Sequence, residues 1–550
     1  MPSGEPELTV IRTNLSRRAL LASGAATALV AFPAFAQEQP AVPADPLPAP
    51  VPPTEPVPAS APVSTPFSFD LLTEQMREMA GRGYEEPPRP TGALGELQYD
   101  DYRSINFRGD RARWADNPSS LFRVSAFHMG WLYREPVQMF QIADGTATEM
   151  EFSTDDFEYY NNLSDRFQPH LELPGVAGFR LSTPLNRPDI FDELVAFLGA
   201  SYFRALGGGT TYGISARGLA VNTASPSQEE FPRFSRFYLE RPNDKSNTVT
   251  IFAALDSPSV TGAFRFVITP GQETVMLVTA RIFARQDIAQ LGVAPLTSMY
   301  LYSETNRANY DDFRPNVHDS DGLAIERLSG DRIWRPLNNP PRLGGSYFAE
   351  DQMRSFGLFQ RDREFESFQD LEAHYETRPS VLVEPIGEWG KGIVRLVEIP
   401  SDSEVNDNIV AFWVPDGAIN AGDAREFSYS LRWGAMAPDA QAPLAFVAET
   451  RSGQGGISGV DNSANYRKFV IDFKGGAIAN LPIDAKLDPV INVQNGEVEH
   501  SSLVRIAGTD MWRLVMDVRG IKGEVVELGA HIAGYGRKLS ETWLYQWMNA

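Results

Sequence analysis

The sequence predicts a mainly all-β protein built as two sandwiches, a large one followed by a smaller one. Two observations carry this. Short runs that alternate apolar with polar residues recur along most of the chain. Turn residues punctuate them, with 44 glycines and 41 prolines in 550 residues. Many short strands with frequent turns favour sandwiches or barrels over a parallel sheet with alternating helices.

The first 36 residues read as an address. Arg17 and Arg18 precede an apolar run from Ala19 to Phe35, which closes on Ala34-Phe35-Ala36. A charged start, an apolar middle and a small-x-small end describe a secretory signal, and the arginine pair makes it a twin-arginine signal. An N-terminal membrane anchor is the alternative, but the run is short and carries Pro33. Export to a bacterial periplasm after folding follows. Residues 37–66 hold 11 prolines in 30 positions and read as an extended spacer.

The body begins at Phe67. A helix is expected over Phe69–Ala80, capped by Ser68, with Leu71, Leu72, Met76, Met79 and Ala80 as its apolar stripe. A second short helix fits Asp189 to Phe197, after Pro188. Thr248 to Leu255, Ala263 to Thr269 and Thr274 to Phe283 read as three strands separated by turns. Ile409 to Val414 reads as a buried strand, and residues 417–424 as a linker. The large domain is therefore placed at 67–416. Strand-like runs at Phe427–Trp433, Lys468–Phe473, Trp512–Val518 and Glu524–Ile532 suit an immunoglobulin-like sandwich at 425–550.

Composition narrows the chemistry. The absence of cysteine excludes disulfides, thiolate metal sites and a cysteine nucleophile. A net charge of −22 argues against a nucleic-acid partner and points to an uncharged substrate. No two of the six histidines lie within five residues, so a paired histidine metal site is not expected. Asp319-Ser320-Asp321-Gly322 opens like a calcium loop but lacks the remaining ligand spacing. Neither metal nor cofactor is expected. Gly207-Gly208-Gly209 has no lysine after it to cradle a phosphate, and Gly213-Ile214-Ser215-Ala216 lacks the final glycine of a serine elbow.

Carboxylates and aromatics remain. Glycosidic cleavage needs one carboxyl to protonate the leaving oxygen and a second to take a proton from water. Sugar-binding clefts add aromatic, arginine and asparagine side chains. Two segments concentrate these types, Arg314 to Asp321 and Pro400 to Asn408, and Glu384 to Gly392 lies between them. Asp-Ser-Asp and Asn-Asp-Asn are also ordinary turn caps.

The sequence resembles the osmoregulated periplasmic glucan family, the periplasmic glucan biosynthesis proteins G and D. The resemblance lies in Phe197-Leu198-Gly199-Ala200-Ser201-Tyr202-Phe203-Arg204, Tyr212 to Ala220, Pro295 to Met299 and Val317-His318-Asp319-Ser320-Asp321-Gly322-Leu323. Trp334 to Pro340, Asp407-Asn408-Ile409-Val410 and Glu541 to Gln546 complete it. The leader resembles the D branch and the core wording the G branch, so the family and not the branch is read.

The resemblance implies a galactose-mutarotase-like sandwich followed by an immunoglobulin-like one. It implies action on the β-1,2-linked glucan backbone, by inverting hydrolysis or by transfer to a sugar hydroxyl. By motif, Asp407 matches the general acid, Asp319 the general base and Tyr375 a proton relay between water and that base. Glu404, His318, Asp321, Trp389 and, three residues after Tyr375, Arg378 are the accompanying substrate contacts expected. A non-catalytic glucan-binding factor, working with the inner-membrane glucan synthase, is the rival expectation. Oligomeric state is left open.

Overall fold

The computed structural model describes residues 64–456 and 466–549. The leader and the spacer as far as residue 63 lie outside them. Among the described residues, strands dominate.

The first expected helix is present over Phe69–Ala80. Ser68 is extended, and its side chain accepts a hydrogen bond from the Leu71 N–H at 3.1 Å. That satisfies one of the donors left unpaired in a first turn. Leu72 and Met76 pack on Tyr238, Ala263 and Phe283, on the face of the sheet opposite the main core.

A 10-stranded sheet and the greater part of a 16-stranded one build the large sandwich. In the larger, Val249–Asp256, Val260–Thr269 and Thr274–Ala284 run as consecutive antiparallel neighbours. The three sequence-predicted strands are therefore real, and their period of two sends Phe264, Phe266 and Ile268 into the core. The smaller sheet places Gly392–Glu398, Ile409–Pro415, Leu291–Ser298, Ser215–Arg217, Tyr202–Ala205 and Asp192–Leu198 side by side. Phe197 and Phe203 of this sheet meet Phe266 of the other at ring distances of 5.3 and 5.4 Å.

Three expectations are corrected. The segment Asp189 to Phe197 is not helical: Asp192–Leu198 is a strand between Gly178–Thr183 and Tyr202–Ala205. Leu194 to Phe197 are all buried, and a short run apolar on both faces serves a covered strand better than a one-sided helix. The spacer ends early, because Ser64–Pro66 pairs with Thr146–Glu149 as an edge strand. The proposed boundary at 417–424 is also misplaced. Ala424–Gly434 pairs on both sides within the larger sheet, with Thr274–Ala284 and Ser380–Ile386, and buries Phe427, Tyr429, Leu431 and Trp433 in the main core. The large sandwich continues to Gly434.

Beyond it, Phe446–Gln454, Tyr466–Lys474, Met511–Gly520 and Gly496–Arg505 form a separate four-stranded sheet. Asp488–Gln494, Val525–Gly534 and Thr542–Met548 oppose it. Phe469, Ile471, Phe473 and Leu514 pack between them against Leu528, Trp543 and Tyr545. Four strands on three is the strand count of a constant-type immunoglobulin domain. This smaller sandwich is not hung on a linker. Thr542–Met548 pairs in parallel with Arg332–Pro336, so the larger sheet runs from one core into the next.

Candidate active site

Asp407 ends the connection between Gly392–Glu398 and Ile409–Pro415. Its neighbour Asn408 fixes its place. The Asn408 side-chain oxygen accepts from the Tyr300 N–H at 2.8 Å, and its amide donates to the carbonyls of Tyr300 at 2.9 Å and Ile399 at 3.0 Å. Asp407 is held at one end of the smaller sheet with its side chain only 8% exposed.

Asp319 lies in a tight turn between Val317–His318 and Gly322–Arg327. The backbone N–H of Asp319 donates to Met299, that of Asp321 donates to Phe359, and the Ser320 hydroxyl meets that of Ser298 at 2.5 Å. Gly322 closes the turn because a Cβ there would sit 2.2 Å from the Trp334 ring.

The turn and the loop bring the two aspartates into one electrostatic site. Arg204 lies 3.8 Å from Asp407 and also acts on Asp319, while Arg378 forms a 2.9 Å ion pair with Asp319. Burial pushes the Asp407 carboxyl up to about 6; Arg204 opposes the shift and the negative charge of Asp319 reinforces it. Burial also raises Asp319, against the pull of Arg378 and Arg204. Each carboxylate keeps one buried oxygen without a hydrogen bond from the protein: Oδ2 of Asp407 and Oδ1 of Asp319. For Oδ1 of Asp319 the Arg378 contact is an ion pair whose angle is too poor for a hydrogen bond.

Tyr375 opens a short 3₁₀ turn, Tyr375–Thr377, directly after His374, which is left-handed at φ 48°. Its hydroxyl donates to Glu404 at 2.9 Å, and the Arg378 guanidinium lies 4.9 Å from its ring centre. The relay expected toward Asp319 thus has its proton directed at Glu404 in this arrangement. Glu404 also takes a 2.8 Å bond from Arg314, whose other bonds go to Asp312 and Asp370. Burial and the Glu404 charge raise the Tyr375 hydroxyl above its ordinary value.

Asp407, Asp319, Tyr375, Glu404 and Arg378 are therefore brought together. Three expected substrate contacts are not. The His318 ring is wholly buried, stacked on Tyr300 and edge-on to Phe368. Asp321, two residues after Asp319, points away, and its carboxylate accepts from the backbone N–H groups of Arg361 and Asp362. Trp389 packs against Trp413, Phe427 and Tyr429 and donates to the Ser428 carbonyl. An indole beside a large apolar core gains more from burial than from standing in solvent as a sugar platform.

A family model described as "Periplasmic glucan biosynthesis protein, MdoG" matches residues 67–547. The chain belongs to this family. Over 543 residues it is 62% identical to "Glucans biosynthesis protein G" of Cereibacter sphaeroides, covering 98% of each chain. It is 43% identical over 457 residues to "Probable glucans biosynthesis protein D" of Shewanella oneidensis, covering 83% of this chain and 84% of the relative. A galactose mutarotase related enzyme from Lactobacillus acidophilus aligns with 48% of this chain and 92% of its own, at 9% identity and a TM-score of 0.20.

Within this family framework, the residues missed by sequence reasoning are the arginines. Arg204 and Arg217 stand on the adjacent strands Tyr202–Ala205 and Ser215–Arg217, and both act on Asp407. Arg204 is oriented by the Ser215 hydroxyl at 2.6 Å and Arg217 by Thr297 at 3.1 Å. Both lie in strings that carry the family resemblance. Residue type alone gave no reason to prefer them among the chain's many arginines.

Proposed function

We propose that this chain is a periplasmic enzyme of glucan biosynthesis, exported by the twin-arginine route, that cleaves or transfers β-1,2-linked glucan with inversion. The observation that supports it most is the Asp407 carboxyl, buried beside Asp319 and raised to about 6. A binding groove has no use for a carboxyl that holds its proton near neutrality, whereas a general acid requires one.

In this reading Asp407 gives its proton to the departing glycosidic oxygen as the bond to the anomeric carbon breaks. Water, or a sugar hydroxyl in the transfer reaction, attacks that carbon from the opposite face and passes its proton toward Asp319. Arg378, paired with Asp319 at 2.9 Å, favours the anionic form that accepts a proton. Tyr375 and Glu404 line the path as a hydrogen-bonded pair. The excess of acidic residues fits an uncharged backbone as substrate.

The test is incubation of the mature protein with linear β-1,2-glucan, read by mass and by NMR of the new anomer. Shorter chains released first as the α-anomer mean inverting hydrolysis, and rings or new linkages mean transfer. Glucan left unchanged would overturn the enzyme reading in favour of a binding factor that works with the inner-membrane synthase.

A further inference from the structure

Behind the aspartate turn lies a second acidic cluster that the proposed chemistry does not use. Glu304, Asp362 and Glu449 each offer a carboxylate oxygen, and these oxygens lie within 4.8 Å of one another. They come from three places in the fold. Glu304 follows Tyr300–Tyr302, Asp362 follows Met353–Phe359, and Glu449 is on Phe446–Gln454 of the smaller sandwich. All three line a cavity of about 30 Å³ that Tyr300, His318 and Asp321 also line.

Few protein groups bond these acids, and one is the Thr450 N–H, which donates to Glu449 at 3.2 Å. Asn316 donates to Glu304 at 2.9 Å, and Arg451 pairs with Glu449 at 3.2 Å while also serving Asp472. The Asp362 carboxylate makes no hydrogen bond or ion pair with the described residues.

A second and independent observation points into the same cavity. His318 has no solvent exposure and lines the cavity, and neither ring nitrogen makes a hydrogen bond of good geometry, the Gln360 side chain being its polar neighbour. Oδ1 of Asp321 is likewise buried without a partner. Buried polar atoms without partners are rare and costly. Four carboxyls crowd this one small cavity, and among them the described ion pairs give only Glu449 an arginine partner, Arg451.

We propose that this cavity is a binding site for a hard divalent cation of the calcium class, with Glu304, Asp362 and Glu449 as direct ligands. All-carboxylate donors select such an ion over soft metals. Oxygens on opposite sides of a calcium ion stand about 4.6–5.2 Å apart, in keeping with the spread found here. The ion would tie the smaller sandwich, through Glu449, to the segments that carry the candidate catalytic turn. Asp319 and Asp321 share that turn, one facing each site, and Tyr300 lines the cavity while its backbone is gripped by Asn408.

The proposal is independent of the glucan reading, because it is tested by binding alone. The mature full-length protein is stripped with EDTA, then titrated with calcium or magnesium by calorimetry and followed by thermal unfolding. Calcium is expected to bind with one-to-one stoichiometry and raise Tm by several degrees, with magnesium at least tenfold weaker. Asp362→Asn and Glu449→Gln should each weaken calcium binding at least tenfold. Each should keep the wild-type circular dichroism and a single cooperative thermal transition in EDTA, which shows that the variants are folded. No calcium binding by the wild type, or a calcium response that survives in both variants, would overturn the site.

Discussion

Asn408 clasps Tyr300 from both sides, accepting its N–H at 2.8 Å and donating to its carbonyl at 2.9 Å. The pairing ties the loop that carries Asp407 to the segment that precedes the Asp319 turn, so one amide sets the relation between two carboxylates far apart in sequence. Asn408→Ala leaves both Tyr300 backbone groups buried and unpaired, at about 1–3 kcal/mol each. We expect a Tm several degrees lower by calorimetry. Turnover should fall more than that loss of folded protein accounts for, because Asp407 is no longer held in place.

Asp407→Asn should abolish glucan cleavage with the fold intact, by circular dichroism and near-normal Tm. The wild-type reaction should fade as pH rises through about 6, where Asp407 surrenders its proton. The sign for stability follows from the same shift. The folded pKa stands above the unfolded value, so this contribution is complete below about pH 3.9 and lost as pH rises through about 6. Two pK units set the loss at roughly 3 kcal/mol. Chemical denaturation at pH 4 and pH 7 should show the variant gaining on the wild type by a large part of that amount. An equal stability difference at both pH values would refute the shift.

Tyr375→Phe removes the hydroxyl that Glu404 accepts at 2.9 Å and leaves the ring against Arg378. Because the ring and its packing remain, stability should change by only about 1 kcal/mol. If Tyr375 helps to move the proton, kcat should fall by about 100-fold with KM nearly unchanged. A rise in KM at constant kcat would make it a binding residue instead.

Gly322→Ala forces a methyl to within 2.2 Å of the Trp334 ring. Trp334 is buried, and the adjoining Trp543 seals the second core, so neither yields easily. The expected cost is about 1–3 kcal/mol. It should be visible as a lower midpoint in urea, with lowered activity because the displaced turn carries Asp319.

Much of the fold can be read from local pattern. The Ser68 cap and the Leu72 and Met76 spacing specify the helix Phe69–Ala80, and three apolar runs separated by turn residues between Val249 and Ala284 specify three strands. The failures share one physical cause. Asp192–Leu198 is apolar on both faces and short, which suits a covered strand or a buried helix equally, and only its neighbours on either side decide. Ala424–Gly434 follows a turn-rich stretch that looks like a linker, yet its pairing partners are more than a hundred residues earlier at Thr274–Ala284.

The site divides in the same way. Asp407, Asp319 and Tyr375 are legible through the family resemblance of their motifs, and the segments around them supply Glu404 and Arg378. Which acids share a field was not in that wording. Asp319 and Asp321 are two residues apart and of one type, but the turn sends the first toward Arg378 and the second behind it. His318 and Trp389 were equally plausible on paper and are both spent in packing. Side-chain chemistry and spacing are local properties, so the chain's order of residues is enough for the all-β class and the first helix. Burial, charge pairing and the partner of each strand depend on residues distant in sequence. The sheet boundary, the arginines around Asp407 and the acidic cavity behind Asp319 became visible only when the sheets were assembled.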